Sequence, residues 1–252
     1  MKIAWHRVII TLGIMGLAIY IIVNLFKPVE DNVICKGIDV NLMNECKLVT
    51  VEDIKDIITA SGITGVGKPL DDSATKKVRE LLNTKSYIKN VTAYQTSDKI
   101  LHIELEQRMP VVRIVTNTGS CYLDNEGYAF PPSLRYSYDV PLITGNMPLP
   151  RKLPYNGPLM CEFVQNLLDF SNFIKQNPFW NAQIQQVEID NSGDVVFVVC
   201  SDNNLVRLGQ LDNFETKMKN LYTFYKKVVP YRGAYKVLDL RFDKQIVALE
   251  DN

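Results

Sequence analysis

The sequence predicts an α+β fold, with a single N-terminal transmembrane helix, then a β-α-α-β-β module and a C-terminal β-rich domain with flanking helices. Three observations predict it. Residues 8–26 contain no charged side chain, residues 33–110 order their patterns as strand, helix, helix, strand and strand, and residues 111–252 combine short strand patterns with turns and two helical periods. Residues 1–7 are then expected to form a cytoplasmic tail.

The uncharged run has the length of a membrane span. As a helix it reaches about 28 Å, close to the hydrocarbon thickness of a bilayer, about 30 Å. Lys2 and Arg7 precede it, whereas the single Lys27 is soon followed by Glu30. Positive charge is held on the cytoplasmic side, so the N-terminus is expected inside and the bulk of the chain outside. The run lacks a small-residue cleavage site, which favours an uncleaved anchor over a signal peptide.

The module after the span begins with a strand pattern over residues 33–40. Thr50 and Asp53 have the spacing of a helix capping box, and apolar residues then recur at helical spacing up to Gly62. A second helix is predicted to begin near residues 72–73. Two strands follow, at residues 88–96 and 100–106.

From residue 111 onward, turn signals punctuate shorter patterns. Residues 124–127 (DNEG) are typical of a turn between two strands. Helices are predicted at residues 159–176 and 214–229, and strands at residues 183–190, 194–200, 204–208, 236–242 and 245–249.

The composition offers little for catalysis or cofactors. Lys and Arg total 28, as do Asp and Glu, so the chain lacks the excess of positive charge that is typical of nucleic-acid-binding proteins. His6 and His102 are the two histidines, which is too few for a histidine metal site. The glycine-rich residues 62–69 lack the Lys-Ser/Thr step of a phosphate loop. Asp124 and Glu126 resemble a carboxylate pair, but turn acids commonly bond their own backbone. No cofactor, metal or small-molecule substrate is therefore expected.

Five cysteines are an odd number, so at least one has no intrachain partner. Cys35 and Cys46 are close enough in sequence to close a short loop in an oxidising compartment. Cys200, at the end of an apolar strand pattern, is interpreted as a buried apolar residue.

Several segments together resemble the FtsQ/DivIB family of bacterial cell-division proteins, in the form found in Bacteroidota. The resemblance covers nearly the whole chain, with residues 33–110 similar to a POTRA domain. The tail of seven residues is shorter than in many relatives, and Phe242 stands where the family more often has Tyr. The matching segments are residues 106–111 (EQRMPV), 122–127 (YLDNEG), 140–145 (VPLITG), 214–217 (FETK), 224–230 (FYKKVVP) and 238–242 (LDLRF).

The resemblance implies a non-enzymatic scaffold of the divisome, embedded through residues 8–26 in the inner membrane, periplasmic in its bulk and placed at the septum. It implies FtsB-like and FtsL-like single-span partners and other divisome components. The end of the chain can supply a sheet edge that accepts a partner strand. The residues predicted to form this surface are Phe242, Gln245, Ile246, Val247 and Leu249, although the apolar ones are equally compatible with an ordinary core or edge.

Two other functions compete with this one. A POTRA-type module also occurs in protein export and outer-membrane assembly, where it guides client strands, but such systems usually string several modules together. A membrane-tethered thiol or wall-modifying enzyme would require a reactive cysteine, or Asp124 and Glu126 as an acid pair.

Overall fold

The structure corrects one part of the predicted fold class, the N-terminal transmembrane helix. The computed structural model describes residues 3–25, 33–133, 136–201, 203–232, 235–242 and 245–250, and helix α1 covers Ile3–Leu25. Among the described residues, no helix combines the length and apolar character that a membrane crossing requires. The transmembrane helix predicted for residues 8–26 is therefore wrong, and its flank at residues 26–32 lies outside the described residues.

A three-stranded sheet and two helices form the N-terminal module. The elements are β1 (Gly37–Leu42), α2 (Val51–Ser61), α3 (Asp72–Asn83), β2 (Ile88–Gln95) and β3 (Ile100–Gln107). Strand β3 is central, parallel to β1 and antiparallel to β2. The predicted order of strand, helix, helix, strand and strand is confirmed.

Local chemistry sets the ends of α2. The Thr50 hydroxyl accepts a hydrogen bond from the Asp53 N–H (3.2 Å), and the Asp53 carboxylate accepts one from the Thr50 N–H (3.0 Å), so the predicted capping box is present. Gly62 ends the helix at φ +71°, a conformation that glycine adopts without steric cost. Residues 62–69 then form the loop to α3, as predicted.

The core of this module lies between the helices and one face of the sheet. Alternate residues of β3 are buried against apolar residues that repeat at helical spacing on α2 and α3. The buried contacts include Ile54, Ile58, Val78, Leu82, Leu101, Ile103 and Leu105.

A ten-stranded mixed sheet forms the C-terminal module. Its first strands are β4 (Val112–Thr116), β5 (Gly119–Leu123), β6 (Tyr128–Phe130), β7 (Leu142–Gly145) and β8 (Gly157–Pro158). Helices α4 (Glu162–Gln176) and α5 (Pro178–Gln183) follow, then β9 (Gln186–Ile189), β10 (Val195–Val199), β11 (Asn204–Gly209), α6 (Phe214–Lys227), α7 (Val229–Arg232), β12 (Tyr235–Asp239) and β13 (Val247–Glu250). The strand order is β13-β12-β11-β10-β9-β7-β4-β5-β6-β8.

Helices α4 and α6 cover one face of the large sheet. Leu167, Phe170 and Ile174 of α4 and Met218 and Leu221 of α6 are buried in one cluster with the alternate strand residues Val199, Val206 and Leu238. Successive side chains of a strand point to opposite faces of the sheet, so the remaining residues of these strands lie on the opposite face. Each of these strands therefore has one side covered by the helices and one side that they leave uncovered.

Gly145 occupies a position that only glycine fits. It ends β7 at φ +102°, and an added Cβ would collide with the carbonyl oxygen of Ile189 on the neighbouring β9.

The helix predicted at residues 159–176 begins three residues later than expected, and α5, which starts at Pro178, was not predicted.

Candidate partner-binding edge

Strand β13 is the outermost strand at one end of the ten-stranded sheet. It pairs antiparallel with β12, with Val247 opposite Asp239 and Leu249 opposite Val237. Its other side faces no strand among the described residues. A strand in this position presents unpaired N–H and C=O groups along its outer edge.

The opposite end of the sheet has a different character. Strand β8 consists of two residues, Gly157 and Pro158, and pairs with β6. Proline has no N–H to donate, and so short a strand offers little backbone for pairing. Within this sheet, β13 is therefore the end that is chemically suited to accept another strand.

The five residues predicted from the sequence divide into two groups at this edge. Phe242, Gln245 and Ile246 line a cavity of about 570 Å³ beside α6, and Ile246 packs partly against the core. Val247 and Leu249 lie in β13 itself and expose 40% and 57% of their surface. The strand is shorter than the predicted 245–249 segment, and residues 243–244, between the two predicted strands, lie outside the described residues.

A row of apolar side chains leads to the edge across four strands. Val198 of β10 is opposite Leu205 of β11, which is opposite Val237 of β12, which in turn is opposite Leu249. These residues lie on the uncovered face, and Val198 is 42% exposed. The sequence reasoning missed this row, because its members come from separate segments and only the strand register aligns them.

An ion cluster anchors the chain between β12 and β13. The Arg241 guanidinium donates to both carboxylate oxygens of Asp239, Nε to Oδ1 at 2.9 Å and a terminal nitrogen to Oδ2 at 2.6 Å, and also contacts Asp194 at 3.3 Å. The hydrogen bonds and charge of Arg241 lower the pKa of Asp239. The Arg241 side chain also crosses Gly209, where an added Cβ would lie 2.8 Å from its Cγ. Arg241 thereby connects the segment that leads into the edge strand to Asp239 of β12 and to Asp194, just before β10.

The candidate catalytic groups lie elsewhere and have other contacts. Asp124 is buried, and its Oδ1 accepts hydrogen bonds from the N–H groups of Glu126 and Tyr128, both at 2.9 Å. Its Oδ2 bonds Arg108 at 2.5 Å. Asp124 is thus the predicted turn residue, with an ion pair that was not predicted.

Cys35 and Cys46, which could have closed a short loop, are not bonded to each other. All five are free thiols, with Cys35 in the core of the N-terminal module and Cys46 in a separate cluster. Cys200 is exposed, so its interpretation as buried was wrong, because it lies just beyond the last buried residue of β10. Within the described parts of the chain, no group of three or more potential His, Cys, Asp or Glu ligands is arranged to hold a metal.

Comparison with known proteins identifies both modules. The family described as FtsQ/DivIB, C-terminal related, matches residues 109–249, and a POTRA-like domain matches residues 33–106. The cell division protein FtsQ of Rhodothermus marinus is 30% identical over 171 residues, which cover 64% of this chain and 59% of the relative. The matched region is thus less than two thirds of that relative's length. Because the C-terminal match spans more than half of the sequence, this chain belongs to the FtsQ/DivIB family of cell-division proteins.

Proposed function

We propose that this chain is a non-enzymatic scaffold of the bacterial divisome that binds FtsB-like and FtsL-like proteins and thereby coordinates septal wall synthesis. Its place is the division septum, on the outer side of the cytoplasmic membrane. Family membership supports a role in cell division. The observation that carries partner binding is the open edge of β13 with its exposed Val247 and Leu249.

The edge suits strand addition for two physical reasons. A partner strand would satisfy the outward N–H and C=O groups of β13 without displacing any strand of this chain. Apolar partner residues on the uncovered face would also extend the row that ends at Leu249. Main-chain pairing supplies affinity in this mode, and side-chain contacts supply specificity.

The decisive experiment compares two valines of nearly equal exposure. Val247→Asp places a charge on the edge strand, and Val198→Asp places the same charge on β10, three strands inward; the two valines are 40% and 42% exposed. We expect Val247→Asp to weaken binding of an FtsB-like partner by about tenfold or more, equivalent to about 1.4 kcal/mol, and Val198→Asp to change it much less.

Binding is measured by calorimetry with both variants shown to be folded by circular dichroism. Equal loss of affinity in the two variants would indicate that the partner covers the sheet face and not its edge. Unchanged affinity in folded Val247→Asp would contradict strand addition. In cells, we expect a fluorescent fusion to concentrate at the septum and depletion to produce filaments.

The export alternative has no comparable support, because the family that matches residues 109–249 and the relative from Rhodothermus marinus are both cell-division proteins.

A further inference from the structure

We propose that the two modules are locked into one rigid body by the consecutive residues Gln107 and Arg108, together with a strap at residues 136–138. Gln107 is the last residue of β3, and Arg108 is the first residue after it. Their side chains bind opposite modules. The junction is therefore a fixed joint between the POTRA-like sheet and the ten-stranded sheet, and not a flexible linker.

Gln107 fixes the N-terminal side of the joint. Its side chain is fully buried, its Nε2 donates to the Cys46 carbonyl oxygen at 2.7 Å, and its Oε1 accepts from the Val49 N–H at 2.9 Å. Its backbone carbonyl accepts from the Asn44 side chain at 2.7 Å. These bonds hold the loop between β1 and α2 against the end of β3.

Arg108 fixes the C-terminal side. Its guanidinium bonds Asp124 at 2.5 Å and stacks on the Tyr128 ring, 3.5 Å from the ring centroid. The two charged side chains are only 11% and 1% exposed. Meanwhile the Arg108 N–H donates to the Tyr87 carbonyl oxygen in the N-terminal module at 2.9 Å. A charge pair this deeply buried is stable only when both partners stay in place, so separating the modules here leaves a charge without its partner.

The strap adds a second connection, independent of the charge pair. The Tyr138 hydroxyl accepts from the Lys47 N–H and lies 2.9 Å from the Cys46 sulfur. The Cys46 thiol donates to the Arg108 carbonyl oxygen at 3.2 Å, which leaves its sulfur as the acceptor for the hydroxyl. A continuous chain of hydrogen bonds thus runs from the loop through the strap to the joint. The strap is held to its own module by the Tyr138 N–H, which donates to the Tyr122 hydroxyl at 3.2 Å.

Apolar side chains fill the space between these hydrogen bonds and the ion pair. Cys46 and Leu48 of the N-terminal module are buried in one cluster with Tyr122 and Phe130 of the C-terminal module. Relative domain motion is the default for a small polar interface, but a buried apolar cluster flanked by buried hydrogen bonds opposes it. The surface pair of Lys89 and Glu126, at 2.9 Å, spans the same interface.

The test measures the distance distribution between two spin labels by pulsed electron paramagnetic resonance on the full chain. Labels replace the exposed Lys77 on α3 and Arg207 on β11, with Cys161 and Cys200 changed to serine. The three buried cysteines stay in place. We expect one narrow distance peak for this chain, and a distribution about twofold broader after combining Arg108→Ala with Tyr138→Phe, which removes both connections.

Arg79→Ala, at an exposed position on α3, is the matched control and should leave the distribution narrow. A broad distribution in the chain with Arg108 and Tyr138 intact overturns the proposal, whether or not the double variant folds. An unchanged narrow peak in a folded double variant overturns it as well. Tyr138→Phe alone, which keeps the ring, provides the milder variant if the double one does not fold.

Discussion

Replacing Arg108 with alanine tests how much the buried pair with Asp124 contributes to stability. The substitution leaves the Asp124 carboxylate buried without its cation, although it keeps its two hydrogen bonds from backbone N–H groups at 2.9 Å. Breaking a buried ion pair by removing one partner costs about 3–5 kcal/mol. Because two of the carboxylate's hydrogen bonds survive, we expect the low end, about 3 kcal/mol.

The assay is urea unfolding followed by circular dichroism, supported by thermal melts. About 3 kcal/mol corresponds to a fall in Tm of roughly 6–12 °C for a protein of this size. Arg79→Ala should stay within about 0.5 kcal/mol of the unchanged protein, because it alters an exposed surface position. A loss of less than about 1 kcal/mol for Arg108→Ala would refute the reasoning, since it would show that Asp124 does not need its partner.

Other perturbations probe the remaining features. Arg241→Ala should lower the stability only slightly at neutral pH, because the pair with Asp239 is partly exposed and solvent screens it. Arg241 lowers the folded-state pKa of Asp239, so the stability that the pair contributes is complete above the unfolded-state pKa of Asp239, about 4, and is lost as the pH falls through the folded-state pKa. The urea unfolding curves of Arg241→Ala and of the unchanged protein should therefore converge in acid. Gly145→Ala should destabilise by at least about 1–3 kcal/mol from backbone strain alone, measured by the same unfolding curves. Burial raises the pKa of the Cys121 thiol to about 12, so iodoacetamide at mildly alkaline pH should modify the exposed Cys200 in the folded protein and Cys121 only after unfolding, as read by mass spectrometry of peptides.

Elements defined by neighbouring residues were predictable from the sequence. The capping box of Thr50 and Asp53 lies within a single helical turn, and the apolar period of α6 follows from side chains three and four positions apart. The turn at Asp124 was predictable for the same reason, because the carboxylate bonds the backbone of the next few residues.

Features that depend on distant segments were not predictable. The partner of Asp124 is Arg108, on the other side of a module boundary, and no local pattern joins them. The apolar row from Val198 to Leu249 exists only because four strands share one register. The position of β13 at the end of the sheet depends on the order of all ten strands. Hydropathy over residues 8–26 predicted a membrane helix that the described structure does not contain.

The unequal ends of the large sheet limit how copies of this protein can associate. If both ends could pair, the β13 end of one copy would join the β8 end of the next, and a head-to-tail contact that does not close into a ring builds open fibres. Pro158 and the two-residue length of β8 block that contact. Strand pairing through this sheet therefore stops after one addition at β13, and it gives finite complexes and not polymers of this protein.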